Sequence, residues 1–96
     1  MEVSPLQPEE IEQRLAGLAG WERAGQGIRK RYKLRSFPEA IAFVTRVAFL
    51  AEAANHHPDI TVNYNRVTLA LITHSKNALT EKDFNLATQI EKLIAQ

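Results

Sequence analysis

Along residues 8–18, Ile11, Leu15 and Leu18 fall three or four apart between charged and polar residues, the spacing of one helical face. Pro8 suits the first turn of such a helix, Glu9 and Glu10 suit its positive end, and Gly20 ends it. The period then shortens. Trp21 to Ala24 and Ile28 to Arg35 read as two strands joined across Gly25 to Gly27, where two glycines make a tight turn cheap. Ile28, Tyr32 and Leu34 alternate with Arg29, Arg31, Lys33 and Arg35, while Lys30 falls on the otherwise apolar side. Ser36-Phe37-Pro38-Glu39 fits a capping box, with the Ser36 oxygen accepting a backbone N–H and Glu39 reaching back. Phe37, Ala40, Ile41, Val44, Val47, Ala48 and Ala51 then recur at helical steps as one apolar stripe. Pro58 disfavours helical geometry at His57, so this helix is expected to end near Ala54 to His56.

Ile60, Val62 and Tyr64 alternate with Thr61 and Asn63; Val67, Leu69, Leu71 and Thr73 alternate with Thr68, Ala70, Ile72 and His74. Asn65-Arg66 is the expected turn between them. Thr80-Glu81-Lys82-Asp83 opens a last helix whose stripe is Phe84, Ala87, Ile90 and Ile94, with Leu86 and Leu93 beside it. The order αββαββα predicts an α+β, two-layer domain spanning residues 1–96: a four-stranded antiparallel sheet with three helices on one face.

Composition narrows the chemistry. Ninety-six residues leave room for one core, and 45% hydrophobic with 24% charged residues is ordinary for a folded soluble protein. No run reaches the roughly 18 to 20 apolar residues of a membrane span. The segment MEVSPLQPEEIEQ has no apolar core of a signal peptide, which fits a cytoplasmic protein. The absence of cysteine excludes disulfides, thiolate catalysis and Cys-ligated metal. Twelve basic residues against eleven acidic argue against nucleic-acid binding through bulk charge.

All three histidines fall in one stretch: His56, His57 and His74. With Asn65-Arg66 as a two-residue turn, Tyr64 faces Val67 and, by extension, His57 faces His74. The hairpin is then expected to return His74 to the end of the second helix and gather three imidazoles at one end of the sheet. Imidazole accepts or donates a proton near neutrality, so such a cluster suits general acid–base chemistry. A plain capped turn accounts for His-His-Pro equally well. A three-histidine zinc site is a rival, against which adjacent histidines point apart and lack the i, i+4 spacing of helical ligands. Asp83 reads first as a cap residue and otherwise as a carboxylate that orients an imidazole or binds a polar substrate edge. Asn55 reads as a helix stop and Trp21 as core before ligand platform. The basic strand from Arg29 to Arg35 reads as a solvated sheet face.

Glu52-Ala-Ala-Asn-His56-His57-Pro58, followed by Tyr64, His74 and Asp83, resembles the signature of the pterin-4a-carbinolamine dehydratases. Gly20-Trp21, Thr45-Arg46-Val47-Ala48, Tyr64-Asn65-Arg66-Val67, Thr73-His74 and Asp83-Phe84-Asn85-Leu86-Ala87 agree with the family pattern, so the resemblance covers nearly the whole chain. It implies removal of water from a 4a-hydroxytetrahydropterin to give the quinonoid dihydropterin, with no cofactor or metal. It implies catalytic roles for His56, His57, His74 and Asp83, and places His56, His57, Thr73, His74 and Trp21 around the pterin. His57 is the expected base, and His56 or His74 the acid. A homodimer or homotetramer is expected, together with a functional link to an aromatic amino-acid hydroxylase, which produces the carbinolamine. Asn55 and Ile60 depart from members that carry an acidic and an aromatic residue there, which bears on substrate affinity. A dimerisation-cofactor role, as in animal members, and a molybdopterin-linked pterin role are the alternatives.

Overall fold

A computed structural model describes residues 3–95. Met1, Glu2 and Gln96, at the ends of the expected 1–96 domain and the MEV start, lie outside the described residues. The elements are α1 (Pro8–Ala16), β1 (Glu22–Ala24), β2 (Gly27–Lys33), α2 (Phe37–Ala54), β3 (Asp59–Asn63), β4 (Arg66–Leu71) and α3 (Glu81–Ile94). The strands form an antiparallel sheet in the order β1-β2-β4-β3, so the two hairpins join through β2 and β4. The helices cover one face, as the α+β, two-layer expectation has it. Ile28, Tyr32, Val67, Leu69 and Leu71 of the sheet meet Phe43 and Val47 of α2 and Phe84, Leu86 and Ile90 of α3. Among the described residues no helix is long and apolar enough to cross a membrane.

Several boundaries move for identifiable reasons. α1 stops at Ala16 because Gly17 and Leu18 close back three residues, onto Arg14 and Leu15, instead of continuing to Gly20. In the first hairpin Ala24 pairs with Gly27, leaving Gly25, at φ 60, and Gln26 as the turn. Gly27 itself admits no side chain, since a Cβ there would lie 2.3 Å from the Leu71 carbonyl oxygen. β2 ends at Lys33, where Leu34 turns its N–H to Asn65 O at 2.8 Å. Ser36 caps α2 by accepting the Glu39 N–H at 3.2 Å, but only this half of the expected capping box is present.

The α2 stripe is displaced from expectation. Ala40, Phe43, Val47 and Ala51 are buried, whereas Phe37, Ile41 and Ala48 are exposed. This helix is apolar around most of its circumference, so periodicity alone does not choose the buried side. On the side that is buried, Phe43 packs on the Tyr32 ring, with centroids 4.9 Å apart.

The second hairpin has another register. Asn63 pairs with Arg66, and the turn is Tyr64-Asn65, with Tyr64 at φ 55. Asn65 is held there from across the sheet, because its side-chain amide donates to Leu34 O at 3.1 Å while its carbonyl accepts the Leu34 N–H. Pairing therefore stops short of both His57 and His74.

Lys30 sits on the helix-facing side and has a partner there. Its ammonium donates to Glu91 Oε2 and to Ala19 O, both at 2.8 Å, and lies 4.7 Å from the Tyr32 ring centroid. Glu91 also accepts from Trp21 Nε1, at 3.1 Å, and from the Tyr32 hydroxyl. One carboxylate on α3 thus satisfies donors from β2 and from the approach to β1. Burial, then the bond to Glu91 and its charge, push the Tyr32 phenol well above its ordinary range.

Burial pushes the Glu91 carboxyl up, but hydrogen bonds from Lys30, Tyr32 and Trp21, with the Lys30 charge, outweigh it and hold the group below 4.5. A carboxyl depressed on folding contributes its stability fully above its unfolded value and loses it as pH falls through the folded value. Unfolding free energy is therefore expected to decline as the pH falls below 4.5. Glu91→Gln is expected to remove this part of the acid slope and to cost ~1–3 kcal/mol at neutral pH, since Lys30 loses its counter-charge. Urea denaturation of both proteins from neutral pH down to about pH 2 (a paired carboxylate loses its contribution from roughly pH 5 downward) checks this; a slope unchanged in the variant refutes it.

Candidate active site

The site is assembled where three elements end. α2 terminates at Asn55, in the left-handed region at φ 50, and the His56 N–H closes back onto Ala51 O at 3.0 Å. This turns the His56 ring inward. At the other side β4 ends at Leu71, and Thr73 forms an isolated bridge with Ala78 that closes a tight turn. In that turn the Asn77 N–H donates to His74 O at 3.2 Å, with Asn77 at φ 48. The chain then reaches Thr80, the N-cap of α3, whose hydroxyl accepts the Lys82 N–H at 3.2 Å.

Asp83 joins these segments. It is fully buried, and both oxygens are occupied. Oδ1 lies 2.6 Å from His56 Nε2. Oδ2 accepts the Thr73 hydroxyl at 2.8 Å and the Thr80 N–H at 3.0 Å, completing the α3 capping box. The Thr73 and Thr80 hydroxyls are 2.7 Å apart. Each hydroxyl has a single proton, and that of Thr73 goes to Asp83. Thr80 must therefore donate to Thr73, and the chain runs one way: Lys82 N–H to Thr80, Thr80 to Thr73, Thr73 to Asp83. The carboxylate also sets the His56 tautomer. Nε2 carries the proton it shares with Asp83, and Nδ1 is left as the ring's second site.

His57 and His74 have a different setting. Both are exposed, His57 directly after His56 and His74 directly after Thr73. His57 Nε2 contacts the Glu52 carboxylate, on the last turn of α2. The structure therefore bonds His56, Thr73 and Asp83 into one cluster, and His57 and His74 follow directly on two of its members. It does not do so by a His57–His74 strand pair; the shared carboxylate brings the two segments together. Trp21 lies elsewhere. Its ring is buried and its N–H is taken by Glu91, about 12 Å along α3 from Asp83 at 1.5 Å per residue.

Two residues that contact these groups, Glu52 and Thr80, have no site role on sequence alone. Glu52 precedes His57 by five positions, which the left-handed Asn55 brings within contact; the sequence shows only its place in the motif. Thr80 read purely as a cap, and its second bond, to Thr73, depends on a turn that spacing does not reveal. Among the described residues no group of three or more His, Cys, Asp and Glu side chains is arranged to hold a metal ion.

Comparison with known proteins gives a consistent family. Residues 4–93 match the model of the family described as Pterin 4 alpha carbinolamine dehydratase. A protein of Roseiflexus sp. (strain RS-1), provisionally named a pterin-4-alpha-carbinolamine dehydratase, is 58% identical over 89 residues, covering 93% of this chain and 96% of its own. A protein of Acidobacterium capsulatum with the same provisional name is 47% identical over 92 residues, covering 96% and 100%. A Brucella melitensis crystal structure, described as a transcriptional coactivator/pterin dehydratase, superposes with a TM-score of 0.90 at 33% identity, covering 94% of this chain and 98% of that one. A pterin dehydratase-like protein described as a RuBisCO assembly factor in the alpha-carboxysome shares the fold, with a TM-score of 0.63 over 76% of this chain and 84% of its own; at 23% identity the likeness is one of fold alone.

The one-way bond chain makes a measurable statement. Long-range nitrogen–proton NMR is expected to find neutral His56 as the Nε2–H tautomer, and Asp83→Ala to abolish that preference. Thr73→Val is expected to cost ~1–3 kcal/mol in urea denaturation, because it leaves one Asp83 oxygen short of a donor and the Thr80 hydroxyl without its acceptor. A His56 ring protonated on Nδ1 alone contradicts the assigned direction.

Proposed function

The chain belongs to the pterin-4a-carbinolamine dehydratase family, and on that premise we propose that it removes water from a 4a-hydroxytetrahydropterin to give the quinonoid dihydropterin. The observation that carries the reading is the pairing of a His56 ring locked on buried Asp83 with two exposed imidazoles, His57 and His74, on adjoining turns. The reaction breaks the C4a–O bond, removes the proton from N5 and forms the C4a=N5 bond. In this proposal His57 takes the N5 proton while its Nε2 side is oriented by Glu52. His74 delivers a proton to the departing hydroxyl, which leaves as water. His56, held by Asp83, offers its Nδ1 side to one edge of the pterin, while Thr73 keeps the Asp83 carboxylate in place through its own hydroxyl. One proton is taken and one given, so the chemistry balances without redox change and calls for positioned acids and bases. An aromatic amino-acid hydroxylase is the class of enzyme that supplies such a carbinolamine. Trp21 stays outside this assignment, since Glu91 already takes its N–H.

We propose further that residues 1–96 work as one domain within a homo-oligomer. The outer side of α2 exposes Phe37, Ile41 and Phe49, the last at 73%, a poor arrangement for a lone chain in water.

The dehydratase reading is tested by the ultraviolet decay of a freshly prepared 4a-hydroxytetrahydropterin, compared with its uncatalysed rate. His57→Ala is expected to keep the fold and lower turnover at least ~100-fold, the usual loss for a general acid–base group. No acceleration by folded wild-type protein would sink the enzyme reading and favour an interaction role. Phe49→Glu is expected to lower the mass seen by light scattering; a wild-type monomer at high concentration contradicts self-association.

A further inference from the structure

The sheet face turned away from the helices has a distinct charge arrangement. Register sets its side chains in three rows from β2 through β4 to β3: Arg29, Ala70 and Asp59; Arg31, Thr68 and Thr61; Lys33, Arg66 and Asn63. Glu22 of β1 stands beside Arg29 in the first row, paired with it at 3.7 Å. Both carboxylates are therefore at one end of the face. At the other end, Lys33 and Arg66 are directly opposed and Arg31 is diagonal to Arg66. Like charges in opposed positions of a sheet repel. Among the described residues none of these three cations makes a side-chain hydrogen bond or ion pair, whereas Arg14 and Arg29 each have carboxylate partners. Arg31, Arg66, Thr61, Thr68 and Asn63 line a cleft of about 200 Å³, and no carboxylate is in its wall.

We propose that this cleft is an oxyanion site for a small phosphorylated ligand, a phosphomonoester or a diphosphate. Guanidinium groups present paired N–H donors that match phosphate oxygens. Arg31 and Arg66 supply two such forks from neighbouring strands, and Lys33 adds a third charge beside Arg66. The Thr61 and Thr68 hydroxyls and the Asn63 amide donate to the remaining oxygens. A bound anion also cancels the repulsion between Lys33 and Arg66, so the site is a place where binding relieves an unfavourable pair. The nearest carboxylates of this face, Glu22 and Asp59, lie a full row or more away, on the outer strands beyond Arg29 and Ala70, so the charge of the cleft stays positive at the end that holds Arg66 and Lys33. The site stands apart from the histidine cluster and does not depend on the dehydratase reading.

The test is titration of the full chain with sodium pyrophosphate at constant ionic strength set by sodium chloride, followed by amide NMR shifts and by the thermal midpoint. Saturable shifts at Thr61, Asn63 and Thr68 and a raised midpoint are expected. Arg66→Thr is expected to weaken binding at least about tenfold, as loss of a charged hydrogen-bonding group does, while Arg46→Gln on α2 leaves it within about twofold. Arg31→Thr serves the same purpose should Arg66→Thr fold poorly. Equal weakening in Arg46→Gln, or the same shifts produced by chloride, would reduce the effect to bulk charge and overturn the site. Tighter binding of a single-stranded oligonucleotide than of pyrophosphate would overturn the compact ligand in favour of a polyanion.

Discussion

Asp83 is a carboxylate with no contact with water, and such a group is tolerated only when donors replace its hydration. It takes them from three separate stretches of chain: His56 after α2, Thr73 after β4, and the Thr80 N–H at its own helix start. The relative positions of these stretches are therefore mutually fixed. Displacing any one leaves a buried charge short of a partner, at a cost far above that of one ordinary surface bond. His57 and His74 follow directly on residues bonded to Asp83, so their placement is inherited from the same constraint. The polar cluster is at once part of the fold's fastening and the foundation of the candidate site.

The same helix is fastened again two turns on. Glu91 accepts donors from Lys30, Tyr32 and Trp21, so α3 is tied to the sheet by a carboxylate near each end. The two ties differ in kind. Asp83 is dry and holds the segments of the candidate site, whereas Glu91 is partly exposed and holds β2 and the residues before β1. Lys30 also shows how the meaning of an unpaired cation depends on which sheet face carries it. On the helix side a lysine must find a carboxylate or be expelled; on the open face water solvates Arg31, Lys33 and Arg66 without one. Their opposition across β2 and β4 is thus affordable, and it leaves three cations free to meet a ligand.

The element order and the helix starts were legible because they rest on local chemistry. Ser36 and Thr80 announce helix N-termini through their own hydroxyls, and Pro58 with Asn55 marks the end of α2. The alternation that puts Val67, Leu69, Leu71 and Thr73 on one side also survives in the structure, including the burial of Thr73. What failed was non-local. The Tyr64-Asn65 turn is selected by Leu34, a residue of another hairpin, so no reading of residues 60–74 alone locates it. The buried side of α2 is the one that brings Phe43 onto Tyr32 of another element, in a helix whose pattern offers several faces. Lys30 looked like a flaw in its strand because its partner lies sixty-one positions later. Strand pairing is the expected link between the histidine segments; the actual link is Asp83, which bonds His56 and Thr73 and fills both of the roles its sequence context offers, cap and partner of an imidazole.

The division between buried and exposed imidazoles bears on how the proposed reaction would be run. His56 cannot release the Nε2 proton without weakening the bond that holds three segments to Asp83, so proton traffic through that nitrogen works against the fold. Only Nδ1 remains to it for exchange. His57 and His74 meet solvent and carry no comparable structural duty, so gaining or losing a proton disturbs little beyond their own contacts. A dehydratase needs both kinds of group: one set fixed to place the substrate, another free to be reset by water after each turnover. A domain of this size has few buried positions to spend on polar residues. Using one capping carboxylate both to close α3 and to fix a histidine lets the domain order the proposed binding edge with a single buried charge.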